Sequence, residues 1–278
     1  MQCLHRLPWP WGEEILAHSF VARTVVSTMR LRQALAWAEA QRSPTGSRWG
    51  LARRLCACRG RFVARSALLG IREPERLRRH IVIHGADRLA TGRGLILLGF
   101  HLGPLGACLA LRVAGHRVTW LGGPSAAGLW SPRIQDRYGS PSDDLFFSAS
   151  THPLGRMRRL HQAYRIVLDG GAVFVTADGL GKHAFSVPVQ GGRVVVRAGW
   201  LALRRATDAP VLPVLSHMEG RTHVVSIHPA LPRLEADPAI DLDLCRRALG
   251  ELLGEYVRQF PEQCYSLAFP TATPDRIT

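Results

Sequence analysis

Short apolar runs bounded by Gly, Pro or Asp recur along the chain from residue 81 onward. The runs IVIHG, GLILLGF, RVTWLGG, GAVFVTADG, APVLPVLSH and HVVSIHP have the length and punctuation of β-strands. Segments with apolar residues at helical spacing lie between several of these runs, namely LGACLALRVAG, LGRMRRLHQAYRIVLDGG and RAGWLALRRATDA. A long helix near the end of the chain is predicted by LDLCRRALGELLGEYVRQF. This alternation indicates an α/β fold with a central, mostly parallel or mixed sheet covered by helices.

The first 80 residues follow a different pattern. LRQALAWAEAQ and RWGLARRLCACRGRFVARSALLG place apolar residues near helical spacing, with arginines between them. We therefore expect a helical N-terminal segment, residues 1–80, packed on an α/β domain, residues 81–278, as one structural unit. The arginine-bearing faces are either the solvated sides of packed helices or a basic surface that lies on a membrane.

The net charge of +15 restricts the kinds of partner. Lys182 is the only lysine, and the arginines are scattered through every segment without a basic tract or a nucleic-acid-binding motif. We therefore expect no nucleic-acid partner. Anionic lipid headgroups or an acidic carrier protein would suit the same charge.

The six cysteines have no paired C-x-x-C spacing, so we expect neither a zinc site nor a disulfide framework, and a reducing compartment fits best. No run approaches the roughly 18 to 20 apolar residues that span a bilayer, and the N-terminus lacks the pattern of a signal peptide. We predict a cytoplasmic protein, which is either free or held peripherally on the cytoplasmic face of the inner membrane.

Four segments of the chain carry a family resemblance by their order and spacing. They are HGADRLATGRGLILLGFHLGPLG, LDGGAVFVTADG, VPVQGGRVVVRAGWLALRRATDAPVLPVL and FPEQCYSLAF. Together they resemble the lysophospholipid acyltransferase superfamily, most closely its bacterial lipid A biosynthesis (lauroyl/myristoyl) branch, over about residues 81–269. The resemblance implies transfer of a fatty acyl chain from an acyl-carrier-protein or coenzyme A thioester to a hydroxyl or amine of an amphipathic or lipid acceptor. It implies no metal and no cofactor.

The defining element of that superfamily is H-x-x-x-x-D/E, in which the histidine is the general base and the carboxylate orients it. By the resemblance His101 is this base, and it stands where a strand leaves the sheet, a usual place for catalytic residues in α/β folds. The acid position holds Gly106. The imidazole thus lacks its usual partner, and removal of such a partner slows a related triad by about four orders of magnitude.

Asp178 is our candidate for the missing carboxylate. It follows the strand VFVTA, so it also lies at a strand end and could share the edge of the sheet with His101. The alternative is that Asp178 only forms a turn before Gly179.

The candidate substrate-binding residues are Gly103, Arg159 and Arg193. Free N–H groups near the start of the helix after His101 could bind an acyl carbonyl as it becomes an oxyanion, and Gly103 belongs to that turn. The arginines, with Arg156 and Arg158, could hold phosphates through forked hydrogen bonds, or they could be ordinary solvated residues.

Tryptophans and one long loop complete the candidates. Trp120, Trp130 and Trp200 either line an acyl channel or pack in the core. The loop GGPSAAGLWSPRIQDRYGSPSDD resists regular structure and is a candidate functional loop.

Two functions remain open from sequence. The first is the acyltransferase just described, with His101 as its base. The second is a non-catalytic or repurposed protein of the same fold that binds a lipid or an acyl thioester, or partners an active enzyme, because Gly106 occupies the acid position.

Overall fold

Three helices form the N-terminal part of the structure. They are α1 (Trp11–Val26), α2 (Thr28–Ala40) and α3 (Arg48–Leu69), and α1 packs along α3. Ser27 caps α2, since its hydroxyl accepts the N–H of Arg30. The computed structural model describes residues 11–41, 47–69, 78–90, 92–104, 106–122, 144–146, 153–179, 184–233, 235 and 237–270.

Nine strands lie within these described ranges. They are β1 (Ile81–His84), β2 (Leu95–Gly99), β3 (Val118–Gly122), β4 (Leu145–Phe146), β5 (Ala172–Thr176), β6 (Ala184–Val189), β7 (Gly192–Arg197), β8 (Val211–Glu219) and β9 (Thr222–Ile227). Seven form one sheet in the order β1-β9-β8-β2-β5-β3-β4, in which only the β8–β9 pair is antiparallel. The predicted mixed α/β fold with a mostly parallel central sheet is confirmed.

Helices cover both faces of this sheet. They are α4 (Ala107–Val113), α5 (Pro153–Leu168), α6 (Gly199–Thr207), α7 (Pro238–Gln259) and α8 (Tyr265–Ala268), with 3-10 turns at Ala86–Leu89 and Pro261–Gln263. All five residues of β2 are buried, as in the centre of a parallel sheet. Alternate β2 side chains therefore enter two core clusters: Ile96 and Leu98 lie with residues of α2, α3 and α7, and Leu95 and Leu97 lie with α4.

The hairpin of β6 and β7 is not among the strands predicted from the sequence. The two strands pair only with each other as a two-stranded sheet, joined through a turn with Gly191 at a φ of 78°. Pro188 lies inside β6, and proline within an apolar run argues against a central strand. The hairpin nevertheless reaches the main sheet, because Asp178 forms an isolated bridge with Val196.

The candidate functional loop and Trp130 lie outside the described residues, apart from the two ends of the loop. At its second end, the carboxylate of Asp144 is fully buried and forms an ion pair with Arg112. The same carboxylate accepts the N–H of Trp120 at 2.7 Å. A buried, hydrogen-bonded ion pair therefore fixes the point at which the chain returns to the sheet.

No helix within the described ranges combines the length and apolar character needed to cross a bilayer.

Candidate functional site

His101 and Asp178 lie beyond the carboxyl ends of two neighbouring parallel strands. β2 and β5 pair in register as far as Gly99 and Thr176. His101 is the second residue after β2, and Asp178 is the second residue after β5. Their side chains therefore lie next to each other although they are 77 residues apart in sequence. The register of the central sheet thus builds the site at the edge where α/β folds place their ligands.

The carboxylate of Asp178 binds both the ring and the backbone of His101. Its Oδ1 lies 2.9 Å from His101 Nδ1, and both of its oxygens lie 2.9 Å from the His101 backbone nitrogen. Because a carboxylate accepts hydrogen bonds, this contact favours the neutral tautomer that has its proton on Nδ1 and its lone pair on Nε2. The His101 side chain is 48% exposed and that of Asp178 only 13%, so a partly open imidazole rests on a covered carboxylate.

The pKa of His101 is raised above its ordinary value of 6.5 by the hydrogen bond that its ring donates to Asp178. Burial and the positive charges of Arg197 and Arg59 act in the opposite direction. The carboxylate thus stabilises the imidazolium, which a base forms when it takes a proton.

The C-terminal segment holds the turn that follows His101. The N–H of Gly103 donates to the carbonyl of Gln263 at 3.2 Å, and Ser266 Oγ donates to the carbonyl of His101 at 3.0 Å. Gln263 is itself fixed, since its side-chain amide makes two hydrogen bonds, of 2.8 and 3.0 Å, with the backbone of Met218. These hydrogen bonds hold the backbone at His101 and Gly103, and the held backbone orients the His101 side chain.

Gly103 lies in a space that accepts no side chain. Its φ is +73°, and an added Cβ would stand 2.0 Å from the carbonyl oxygen of Ser216 and 2.3 Å from the Tyr256 hydroxyl. Its N–H already has a partner in Gln263. The structure places Gly103 as a packed turn residue, and its predicted contact with substrate stays a prediction.

Gly106, at the acid position of the sequence motif, is the N-cap of α4. Its φ is 103°, in a region that residues with a Cβ rarely adopt. The backbone there favours glycine, so an acid at this position would be strained.

Arg197 is a site residue that the sequence analysis missed. Its Nη2 donates to the carbonyl oxygens of Thr176 at 3.0 Å and Asp178 at 3.1 Å, and its N–H donates to the carbonyl of Ala177 at 2.7 Å. Arg197 thus fixes the backbone that presents the Asp178 carboxylate. The available signal was its position at the end of the run VVVR, in the hairpin whose strands were not recognised.

The predicted arginines lie elsewhere. Arg193 is exposed at the start of β7, four residues from Arg197 and hence about 13 Å along the strand. Arg159 is half-buried on α5, where Arg156 and Arg158 are exposed. Within the described ranges, neither Arg159 nor Arg193 makes a hydrogen bond or ion pair with His101 or Asp178. Their substrate-binding roles stay predictions.

Trp120 and Trp200 are buried, at 7% and 2% exposure, and belong to the two core clusters. Trp120 packs edge-on against Phe174 with ring centroids 6.4 Å apart. Of the two interpretations of these residues, their placement matches core packing.

The thiols of the described part are unsuited to nucleophilic catalysis near neutral pH. Five cysteines there are free, and burial raises the pKa of Cys58 to about 11. In the same ranges no three His, Cys, Asp or Glu side chains are grouped to hold a metal ion. The His101–Asp178 pair is a histidine–carboxylate pair of the kind that acid–base chemistry uses.

No family model and no curated protein matches the chain. Among solved structures the chain is similar to the crystal structure of the 1-acyl-sn-glycerophosphate (LPA) acyltransferase, PlsC, from Thermotoga maritima. The identity is 15%, the TM-score is 0.42, and the match covers 89% of this chain and 96% of that one. A TM-score of 0.42 is too low for this similarity to assign an activity.

Proposed function

We propose that this protein is an acyltransferase in which His101 is the general base and Asp178, supplied by the neighbouring strand, replaces the carboxylate that the sequence motif lacks at Gly106. The observation that carries the proposal is the 2.9 Å contact between His101 Nδ1 and Asp178 Oδ1. The partly exposed ring supports it, because a base has to reach its substrate.

The reaction is direct transfer between two bound substrates. Nε2 of His101 takes the proton of the acceptor hydroxyl or amine, and the acceptor attacks the thioester carbonyl. The resulting tetrahedral intermediate expels the thiolate, which receives the proton from the imidazolium as the carbon–sulfur bond breaks. Asp178 keeps the ring in the tautomer with Nδ1–H and stabilises its charged form. The donor is an acyl-carrier-protein or coenzyme A thioester, and the acceptor is an amphipathic or lipid molecule.

Consumption of an acyl thioester by the purified full-length protein tests this proposal. We expect release of thiol that depends on an added amphipathic acceptor and saturates with both substrates. The rival function, binding without catalysis, predicts that the protein holds the thioester and releases no thiol above the uncatalysed rate.

The proposal extends to a peripheral position on an anionic membrane surface. The N-terminal helices expose large apolar side chains, among them Trp11 at 67%, Val26 at 85% and Met29 at 65%. Arg23 lies three residues before Val26 in α1, and Arg30 directly follows Met29 in α2. Apolar and basic side chains on one surface are the composition of interfacial helices.

Co-sedimentation with phosphatidylglycerol vesicles at low and high salt tests this membrane association. We expect binding at low salt that weakens at high salt, because exposed charges are screened beyond about 10 Å at 0.1 M salt. Val26→Ser combined with Met29→Ser, compared with wild type, measures the share due to apolar insertion. Absence of binding to anionic vesicles at low salt would contradict the association.

A further inference from the structure

The segment that follows β5 passes from the main sheet to the β6–β7 hairpin. The N–H of Ala177 still donates to the carbonyl of Gly99 in β2, at 2.8 Å. The next residue, Asp178, instead forms a bridge with Val196 of β7. The hairpin therefore constrains the backbone at the residue whose carboxylate contacts His101.

Arg197, at the end of β7, binds three consecutive carbonyls of this segment. Its backbone N–H donates to Ala177 at 2.7 Å, and its Nη2 donates to Thr176 at 3.0 Å and to Asp178 at 3.1 Å. The guanidinium also packs against Gly179, where an added Cβ would stand 3.5 Å from its Cζ, Nε and Nη2. One arginine thus holds the backbone on both sides of the Asp178 carboxylate.

The charge of Arg197 is directed to these carbonyls. Within the described ranges Arg197 forms no ion pair with a carboxylate, although the residue is exposed. Hydrogen bonds from a charged donor are stronger than those between neutral groups. The two bonds from Nη2 therefore resist displacement of the segment more than a neutral side chain would.

The hairpin itself is anchored away from the site. At its turn, the side-chain amide of Gln190 donates to the carbonyls of Ala40 and Gln41 at 3.2 and 2.8 Å, and the amide of Gln41 donates to the carbonyl of Gln190 at 3.1 Å. Along β6, Arg246 Nε of α7 donates to the carbonyl of Ser186 at 2.9 Å. Helices α2 and α7 thus support the strand that carries the arginine.

We propose that Arg197 is a positioning residue, which holds Asp178 where its carboxylate reaches both the ring and the backbone N–H of His101. Both of these contacts are 2.9 Å long, and a misplacement of about 1 Å in a catalytic site can cost about a hundredfold in rate. The proposal rests on the acyl transfer proposed above for its effect on rate, whereas the geometry that it explains is independent of catalysis.

The tautomer of the His101 ring tests the positioning without any acyl transfer. Two-bond ¹H–¹⁵N spectra, recorded above the pKa of His101, should show mainly the Nδ1–H form in wild type and less of it in Asp178→Ala, which lacks the acceptor. Arg197→Met keeps an unbranched side chain without a donor, so its share of the Nδ1–H form should fall toward that of Asp178→Ala. A wild-type tautomer ratio in Arg197→Met would overturn the proposal.

Two further variants serve as controls for Arg197→Met. Arg197→Lys keeps a charged donor and should retain more of the Nδ1–H form than Arg197→Met. Arg117→Met removes an exposed arginine directly before β3, at the opposite edge of the sheet, and should match wild type. Equal effects of Arg197→Met and Arg117→Met would overturn the proposal, and thermal unfolding checks that each variant is folded.

The rate of acyl-thioester consumption then tests whether Arg197 acts through Asp178. Arg197→Met should lower kcat at least about tenfold and change KM less than about twofold, because Asp178 serves the base rather than substrate binding. In the Asp178→Ala background the same substitution should change kcat less than about twofold. Equal losses in both backgrounds would overturn the proposal. A wild type without thioester consumption would contradict the proposed function, and the tautomer ratios would still decide the role of Arg197.

Discussion

His101→Ala and Asp178→Asn should each lower acyl transfer at least about a hundredfold. The first variant removes the base, and the second removes the carboxylate that orients the base and stabilises its protonated form. Asp178 accepts hydrogen bonds from Nδ1–H and from the backbone N–H of His101, so asparagine at this position disturbs both contacts. The measurement is the initial rate of acyl-thioester consumption with acceptor present. Full activity in His101→Ala would contradict the proposed mechanism.

Controls for these variants come from residues of the same types away from the site. His116→Ala and Asp169→Asn remove an imidazole and a carboxylate that do not contact His101 or Asp178, and both should keep the wild-type rate. The double variant His101→Ala with Asp178→Asn should be little slower than His101→Ala alone, because the two residues act as one unit. Additive losses would indicate that Asp178 acts independently of His101.

Gly106→Glu distinguishes two explanations of the glycine at the acid position. Either Asp178 supplies the carboxylate, or the site has lost its carboxylate and its activity. With Asp178 as the partner of His101, glutamate at residue 106 should not raise the rate and should lower stability, since φ is 103° there. A wild type with negligible activity that Gly106→Glu restores would show that the motif had simply lost its acid.

Gly103→Ala should lower the free energy of unfolding by about 2–3 kcal/mol and should also abolish activity. The new methyl group would lie 2.0 Å from the Ser216 carbonyl oxygen, so the turn that carries His101 has to move away from β8 and α7. Denaturant unfolding with matched rate assays measures both effects.

Gly92→Ala is the matched control for Gly103→Ala. Gly92 also has a positive φ, of 64°, but an added Cβ there would meet no atom within 4 Å. Its substitution should therefore cost only the backbone strain, about 1–2 kcal/mol, and leave activity intact. Equal costs at both positions would show that crowding around Gly103 is unimportant.

The strands could be predicted from sequence because buried parallel strands are continuous apolar runs bounded by turn residues, as β2 and β5 are. His101 could be named from the resemblance to the H-x-x-x-x-D/E motif, and Asp178 because it also follows such a run. Their contact could not be derived, since it depends on which strands are neighbours and on the register between them, and both are set by packing over the whole sheet.

Arg197 illustrates a second limit of sequence reasoning. It acts through backbone carbonyls of Thr176 and Asp178, a role with no residue pattern, and it lies in a hairpin outside the main sheet. Arg193 was the more conspicuous residue because it stands in the GGR turn.

The pH dependence of kcat/KM for acyl transfer, in wild type and Asp178→Asn, tests most directly whether Asp178 serves His101. A base must be neutral to accept a proton, so the rate should rise with pH through the pKa of His101, above 6.5 in wild type because Asp178 raises it. Asp178→Asn removes that cause, so the acidic limb of the profile should move to lower pH while the plateau falls at least about a hundredfold. An acidic limb at the same pH in both proteins would contradict the proposed His101–Asp178 pair.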